Sequence, residues 1–148
     1  MATIGVDCQL IIDGNGYFIE PGSYKVSRPR IRRADLTGVS ATGTAPGYGA
    51  GERYVDRGPG KREFTFIVPC FNGMRDYTGA TVATTGQQFH DNLQTSYNKV
   101  NQTVAFTDPT GYAWPNGVRF DDLVEELADV RSRVDGSNWY MHVTLVEA

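Results

Sequence analysis

The segment Glu63-Phe-Thr-Phe-Ile-Val-Pro-Cys-Phe71 has the clearest strand pattern of this 148-residue chain. Successive side chains of a strand point to opposite faces, so Phe64 and Phe66 share one face while Thr65 and Ile67 share the other. Further strand-like runs bounded by turn residues lie before and after this segment. The sequence therefore predicts one mainly β domain over residues 1–148, an antiparallel β-sandwich or partial barrel.

A long glycine-rich arm precedes this strand, at about residues 34–61. It contains seven glycines between positions 34 and 60, whereas connections inside compact domains typically have about 4–6 residues. Such an arm is disordered, acts as a lid, or is ordered by another molecule. Tyr48, Tyr54 and Val55 give it apolar contact surface, so we expect residues 38–60 to be mobile in an isolated subunit and ordered against a neighbour.

Charged residues are segregated into two short segments. The first holds five cations within nine positions and the second holds five anions within nine positions. The cations are Lys25, Arg28, Arg30, Arg32 and Arg33, and the anions are Asp121, Asp122, Glu125, Glu126 and Asp129. Such runs are usually solvated surfaces. The alternatives are complementary patches on copies of one subunit, and phosphate contact by the arginines, which the net charge of −3 opposes.

The alternating strand pattern over residues 24–33 would place Arg28, Arg30 and Arg32 on one face of a strand. Pro29 cannot donate a ladder hydrogen bond, so this strand should lie at an edge or contain a bulge.

One amphipathic helix is predicted at about residues 86–100. Thr85-Gly-Gln-Gln88 has the form of a capping box, and an apolar stripe with helical spacing follows it. The stripe consists of Phe89, Leu93, Tyr97 and Val100. The helix should therefore lie on the surface of the sheet.

The last third of the chain allows two interpretations. Residues 121–130 offer an aspartate N-cap and apolar residues at helical spacing, yet they also fit a long, kinked strand. Asp135-Gly136 is a strong hairpin signal, and residues 139–146 alternate with Trp139 and Met141 on one face. We expect the hairpin, and both interpretations of 121–130 stay open.

The sequence contains no pattern typical of a catalytic, metal-binding or phosphate-binding site. His90 and His142 have no neighbouring His or Cys at a metal-ligand spacing, and no nucleophile elbow or phosphate-binding loop is present. Cys8 and Cys70 fit either a disulfide or two buried thiols, and the thiols are favoured. No stretch approaches the length of a membrane span. We expect no enzymatic activity, metal, cofactor or small-molecule substrate.

The order of these elements resembles the tail-tube fold, which tube proteins and distal tail (tail-tip ring) proteins of long-tailed bacteriophages share. The resemblance rests on residues 60–68, the helix, residues 104–111 and residues 139–147. It implies a sandwich with one helix, an arm lying against neighbouring subunits, and six copies in a ring through which DNA passes without specific binding. It also implies a virion protein, made in the host cytoplasm, with other tail proteins as partners.

The candidate subunit-interface residues follow from this resemblance and from the segregated charge. They are Arg28, Arg30, Arg32, Tyr48, Tyr54, Val55, Asp121, Asp122 and Glu125. The acidic segment would suit a lumen that repels phosphate as well as it suits a docking patch. Other functions stay open: a capsid decoration protein, or a monomeric sandwich that recognises a glycan or receptor through exposed aromatic residues such as Trp114 and Trp139.

Overall fold

The computed structural model describes residues 2–35, 53–130 and 137–148. The chain forms two compact units, one made of Met1–Val26 with Glu63–Ala148 and one made of Ser27–Arg62. The elements follow in the order β1 (Leu10–Ile12), β2 (Asn15–Tyr17), β3 (Lys25–Ser27), β4 (Arg30–Asp35), β5 (Arg53–Pro59), β6 (Glu63–Cys70), α1 (Gly86–Tyr97), β7 (Phe106–Thr107), β8 (Val118–Val130) and β9 (Ser137–Glu147).

The first unit contains two antiparallel sheets and the helix. One sheet has the strand order β2-β1-β7 and the other has the order β3-β6-β9-β8. Their apolar faces meet in one core, where the ring of Phe106 lies 5.1 Å from the ring of Phe64 and stacks on Phe66. This arrangement confirms the predicted mainly β fold with one flanking helix.

Strand β6 is the centre of the core, as its sequence predicts. Phe64, Phe66 and Val68 are buried, and the residues between them are more exposed. β6 pairs along its whole length with β9, whose Met141 and Val143 are buried opposite Val68 and Phe66. Since directly opposite residues of paired strands share a face, these side chains form one apolar surface.

The helix begins with the predicted capping box. The Thr85 hydroxyl accepts from the Gln88 amide at 3.2 Å, and the Gln88 side chain accepts from the Thr85 amide at 2.9 Å. The helix ends at Tyr97, however, so its predicted extension to position 100 is wrong, and Val100 is 74% exposed. The chain leaves the helix at Asn98 and turns at Asn101, whose φ of 55° a helix does not allow.

Residues 121–130 belong to the long strand β8, so the helical interpretation is wrong. β8 pairs with β9 in antiparallel register from Val118 to Val130. The register shifts between Phe120 and Asp122 and again between Leu127 and Asp129. Each such bulge displaces the period-2 alternation by one residue. The apolar residues consequently acquire a spacing that imitates a helix.

The second unit is a β-hairpin, in which β4 pairs with β5 in antiparallel register. The expectation that the arm lacks strand structure as far as position 61 is wrong, because the strand β5 lies within it. Residues 36–52 of the arm lie outside the part of the chain that the structure describes. The basic segment contains an irregularity close to Pro29, as expected, but it is divided between two strands. β3 ends before Arg28 and β4 begins after Pro29, and the register of β4 shifts between Arg30 and Arg32. The three arginines therefore do not share one uninterrupted strand.

Candidate interaction surface

Strand β8 carries the acidic segment and forms one edge of the four-stranded sheet. An edge strand that bears charges is protected against unspecific strand pairing. Its register with β9 assigns the acidic residues to different faces. Glu125 lies opposite the buried Met141, whereas Glu126 lies opposite Tyr140. We call the sheet face that carries Met141 the inner face and the face that carries Tyr140 the outer face.

On the inner face, Glu125 joins β8 to the helix. Its Oε1 contacts both His90 Nε2 and Gln94 Nε2. The ring of His90 stacks on Trp139 with 4.5 Å between the ring centroids, and its Nδ1 lies 3.0 Å from the carboxylate of Asp91. The His90 side chain is only 13% exposed. His90 therefore lies between the helix and the sheet and is largely shielded from solvent.

The contact partners of Glu125 were not predicted from the sequence, although the sequence of the helix contains a pattern that indicates them. Gln87, His90 and Gln94 recur at spacings of three and four, so they form a polar stripe beside the apolar one. Gln87 contributes its side-chain oxygen, which accepts from the indole nitrogen of Trp139 at 3.3 Å. In this chain the polar stripe is the side of the helix that meets Glu125 of β8.

On the outer face, a groove crosses β6, β9 and β8. Its residues line two adjoining cavities of about 430 and 230 Å³, which share Glu20, Ile67 and His142. The Glu20 amide donates to the Ile67 carbonyl at 2.8 Å, which positions the glutamate beside β6. The His142 imidazole lies 2.8 Å from the carboxylate of Glu126, and Tyr140 completes the lining of the smaller cavity. The groove thus combines two carboxylates with an apolar floor.

The structure separates the acidic residues that the sequence groups together. Asp122 lies opposite Thr144 on the outer face, and Glu125 lies on the inner face. Asp121 is exposed and falls within the first bulge. The outer-face groove instead brings Glu126 together with Glu20, which is distant in sequence. Only the folded sheet reveals this pair, because no local spacing connects positions 20 and 126.

The basic candidates belong to the hairpin unit. Arg28 and Arg30 are exposed, and Arg28 Nε donates to the carbonyl of Gly60 at 3.0 Å. The backbones of Tyr54 and Val55 lie in β5, opposite Ala34 and Arg33. Tyr48 and the side chains of Arg32, Tyr54 and Val55 lie outside the described part of the structure.

Both tryptophans pack against the core. The ring of Trp114 contacts Phe64 edge to face with 5.3 Å between the ring centroids. The ring of Trp139 stacks on His90, and its indole nitrogen donates to Gln87. Both indoles are partly buried, so neither offers a free aromatic platform of the kind that stacks on a sugar.

Both cysteines are buried free thiols, which confirms the favoured prediction. Burial raises the pKa of the Cys70 thiol to about 12. Burial, reinforced by the neighbouring Asp7, raises the pKa of the Cys8 thiol to about 11. Because the thiolate is the reactive form, burial and the raised pKa both disfavour reaction of these side chains in the folded protein.

The described residues form neither a metal site nor a membrane-spanning helix. They contain no group of three or more His, Cys, Asp or Glu side chains arranged to hold a metal ion. The helix that they form is too short and too polar to cross a membrane. Comparison of the chain with models of known protein families gives no match, and comparison with curated proteins gives none either.

Proposed function

We propose that this chain is a structural subunit of a bacteriophage tail, of which about six copies form a ring at the tail tip or in the tail tube. The resemblance of the sequence to the tail-tube fold motivates this proposal. A sandwich with one flanking helix is the architecture that the resemblance implies, and the chain has this architecture. In this role it would contact other tail proteins within the virion and would need neither a cofactor nor a substrate.

The observation that carries the proposal is the hairpin of β4 and β5. These two strands form a two-stranded sheet, and the segment Ser27–Arg62 that contains them is one of the two compact units of the chain. A two-stranded hairpin in water is marginally stable at best, because it has no second layer on which to bury its side chains. A hairpin of this size is therefore stabilised when it packs against another surface. In a ring, the adjacent subunit provides that surface in every copy.

The charge distribution supports a head-to-tail contact. Arg28 and Arg30, which are exposed, lie in the hairpin unit, whereas Asp121, Asp122 and Glu126 lie on β8 of the sandwich. A heterologous contact of a basic with an acidic surface repeats from copy to copy and closes when the rotation allows. Charges of opposite sign would set the register of this contact more than its affinity.

An acidic wall would suit passage of DNA. Carboxylates repel the phosphates of a nucleic acid, so DNA would slide along such a wall without specific binding. Acidic side chains that the contact between copies leaves uncovered would serve this purpose in a tail tube or tail tip.

Removal of the hairpin tests the proposal. The Pro29 carbonyl and the Gly60 amide are only 2.6 Å apart, so residues 30–59 can be replaced by an Asn-Gly turn without separating the flanking chain ends. We expect the shortened chain to keep the circular dichroism spectrum and the cooperative melting of the sandwich. Native mass spectrometry should show oligomers for the full chain and only monomers for the shortened one. A folded shortened chain that still forms the full oligomer contradicts the proposed role.

A further inference from the structure

We propose that the outer-face groove is the docking site for the arginine-bearing hairpin unit of a second copy of this chain. This inference rests on the proposed ring and specifies where one subunit receives the next. It is carried by the outer face of the four-stranded sheet, which differs sharply from the inner face. The inner face packs on the core and the helix through Met141, Val143 and Glu125. Within the described residues of the sandwich unit, no strand or helix covers the groove.

The chemistry of the groove fits a guanidinium group. Its smaller cavity of about 230 Å³ is lined by the carboxylates of Glu20 and Glu126 and by Ile67, Tyr140 and His142. An arginine side chain has an apolar stem and a planar charged end. The stem can lie on Ile67 and Tyr140 while the guanidinium meets a carboxylate, which is the strongest type of hydrogen-bonded ion pair.

The charges around the groove favour a cation over an anion. Glu126 is 59% exposed in its side chain, and Asp122 lies on the same face of the same strand. His142 faces Glu126 from β9, and Lys25 lines only the larger cavity of about 430 Å³. The smaller cavity, between Glu20 and Glu126, is therefore the anionic part of the groove. Val124, which is 50% exposed, adds apolar surface on the same face.

The chain itself supplies a matching partner. Arg28 and Arg30 are exposed in the hairpin unit and lie close together in sequence. Arg28 donates its Nε–H to the Gly60 carbonyl, which steadies the side chain and leaves the four N–H groups of its two Nη atoms for a further contact. A second copy is thus the occupant that charge complementarity selects, and the contact repeats head to tail.

Crosslinking between two separately purified variants tests this docking. One variant carries Ser27→Cys, beside Arg28, and the other, distinguished by a mass tag, carries Val124→Cys, beside Glu126 on the outer face, so both charged residues of the proposed contact are kept. A short bismaleimide, whose length matches a side-chain ion pair, is added to the mixture. The native Cys8 and Cys70 are buried and should not compete. We expect a covalent dimer that contains one copy of each variant.

Leu127→Cys is the matched control for Val124→Cys. It is an exposed apolar residue of the same strand that lies on the inner face, opposite Trp139. The mixed dimer should be lost when Leu127→Cys replaces Val124→Cys. Equal yields from the two variants, or no dimer with Val124→Cys, would overturn the docking site. A link within one chain carrying both Ser27→Cys and Val124→Cys, with no mixed dimer, would also overturn it, because the hairpin would then occupy its own groove.

Electron microscopy of the unmodified chain separates the two proposals. Rings without the mixed crosslink would support the proposed ring and would refute the groove as the contact between its subunits. The mixed crosslink without rings would support the groove and refute the closed assembly.

Discussion

Gly86, the first residue of α1, lies close to the backbone of β6 and β9. A Cβ at this position would lie 2.8 Å from the carbonyl oxygen of Ser137 and would collide with the carbonyl oxygen of Cys70. Both obstacles are backbone atoms of paired strands, so they cannot move aside independently. Glycine is therefore required here by the lack of space around it.

We predict that Gly86→Ala destabilises the protein by about 1–3 kcal/mol, the usual cost of overpacking. Alanine has the higher helix propensity, so a purely local argument would predict the opposite sign. Equilibrium denaturation with urea gives the free energy of unfolding. Thr95→Ala, an exposed position on the same helix, is the control and should be neutral or stabilising. Unchanged or increased stability of Gly86→Ala would show that the helix does not lie this close to the sheet.

Asp76 organises an exposed turn that recurs around Asp108. In each turn, one aspartate oxygen accepts from the amide and the hydroxyl of a threonine two residues later, Thr78 or Thr110. It also accepts from the amide four residues later. The intervening glycine, Gly79 in the first turn, has a φ of 86° that other residues rarely adopt.

The hydrogen bonds from Thr78, followed by that from the Ala80 amide, lower the pKa of the Asp76 carboxyl. Because its pKa is lower in the folded than in the unfolded state, the carboxylate stabilises the fold above the unfolded pKa of about 3.9. This stabilisation is lost as the pH falls through the folded pKa. We predict that the wild-type chain melts at a higher temperature than Asp76→Asn at neutral pH, and that the difference disappears in acid. A difference in melting temperature that stays constant with pH would contradict this role.

At the scale of elements, the contact between α1 and β8 depends on Glu125. Its neighbour Glu126 has the same chemistry but lies on the opposite face, so the two residues form a matched pair. We predict that Glu125→Ala costs about 1–2 kcal/mol of unfolding free energy, because two side chains of the helix lose their charged acceptor. Glu126→Ala should cost less than about 1 kcal/mol, as expected for an exposed pair. Equal effects in thermal or urea denaturation would contradict the assignment of faces.

The strands and the helix start were predictable because their signals are local. The alternation around Phe64 and the capping box of Thr85 each involve a few neighbouring residues, and the structure contains both. Strand β8 was harder to predict because its two bulges interrupt the alternation. The hairpin strand β5 was missed because the glycines around it dominate the local composition.

The groove could not be predicted at all from local patterns. Glu20 and Glu126 meet only because β6 and β8 both flank β9 in one sheet. The sequence grouped Asp121, Asp122 and Glu125 by proximity along the chain, whereas the pleat of β8 separates Asp122 from Glu125. Charge runs in a strand must therefore be divided by face before they are assigned to one partner.

At the scale of the whole molecule, the chain consists of a sandwich unit and a hairpin unit, which would have different roles in the proposed ring. The sandwich supplies the stable core, in which sixteen apolar side chains are buried among the described residues. The hairpin unit supplies an exposed basic surface. In the proposed ring, such a subunit would fold first and associate afterwards, because its apolar core lies within one chain.

Negative-stain electron microscopy of the purified full-length chain, over a range of concentrations, tests the central claim most directly. Class averages should show closed rings with an open centre, most of them six-fold symmetric. The shortened chain that lacks residues 30–59 is the control, and it should give no rings on grids prepared in the same way. Particles of the full-length chain that remain single subunits at every concentration, or that form aggregates without closure, would contradict a ring-forming role.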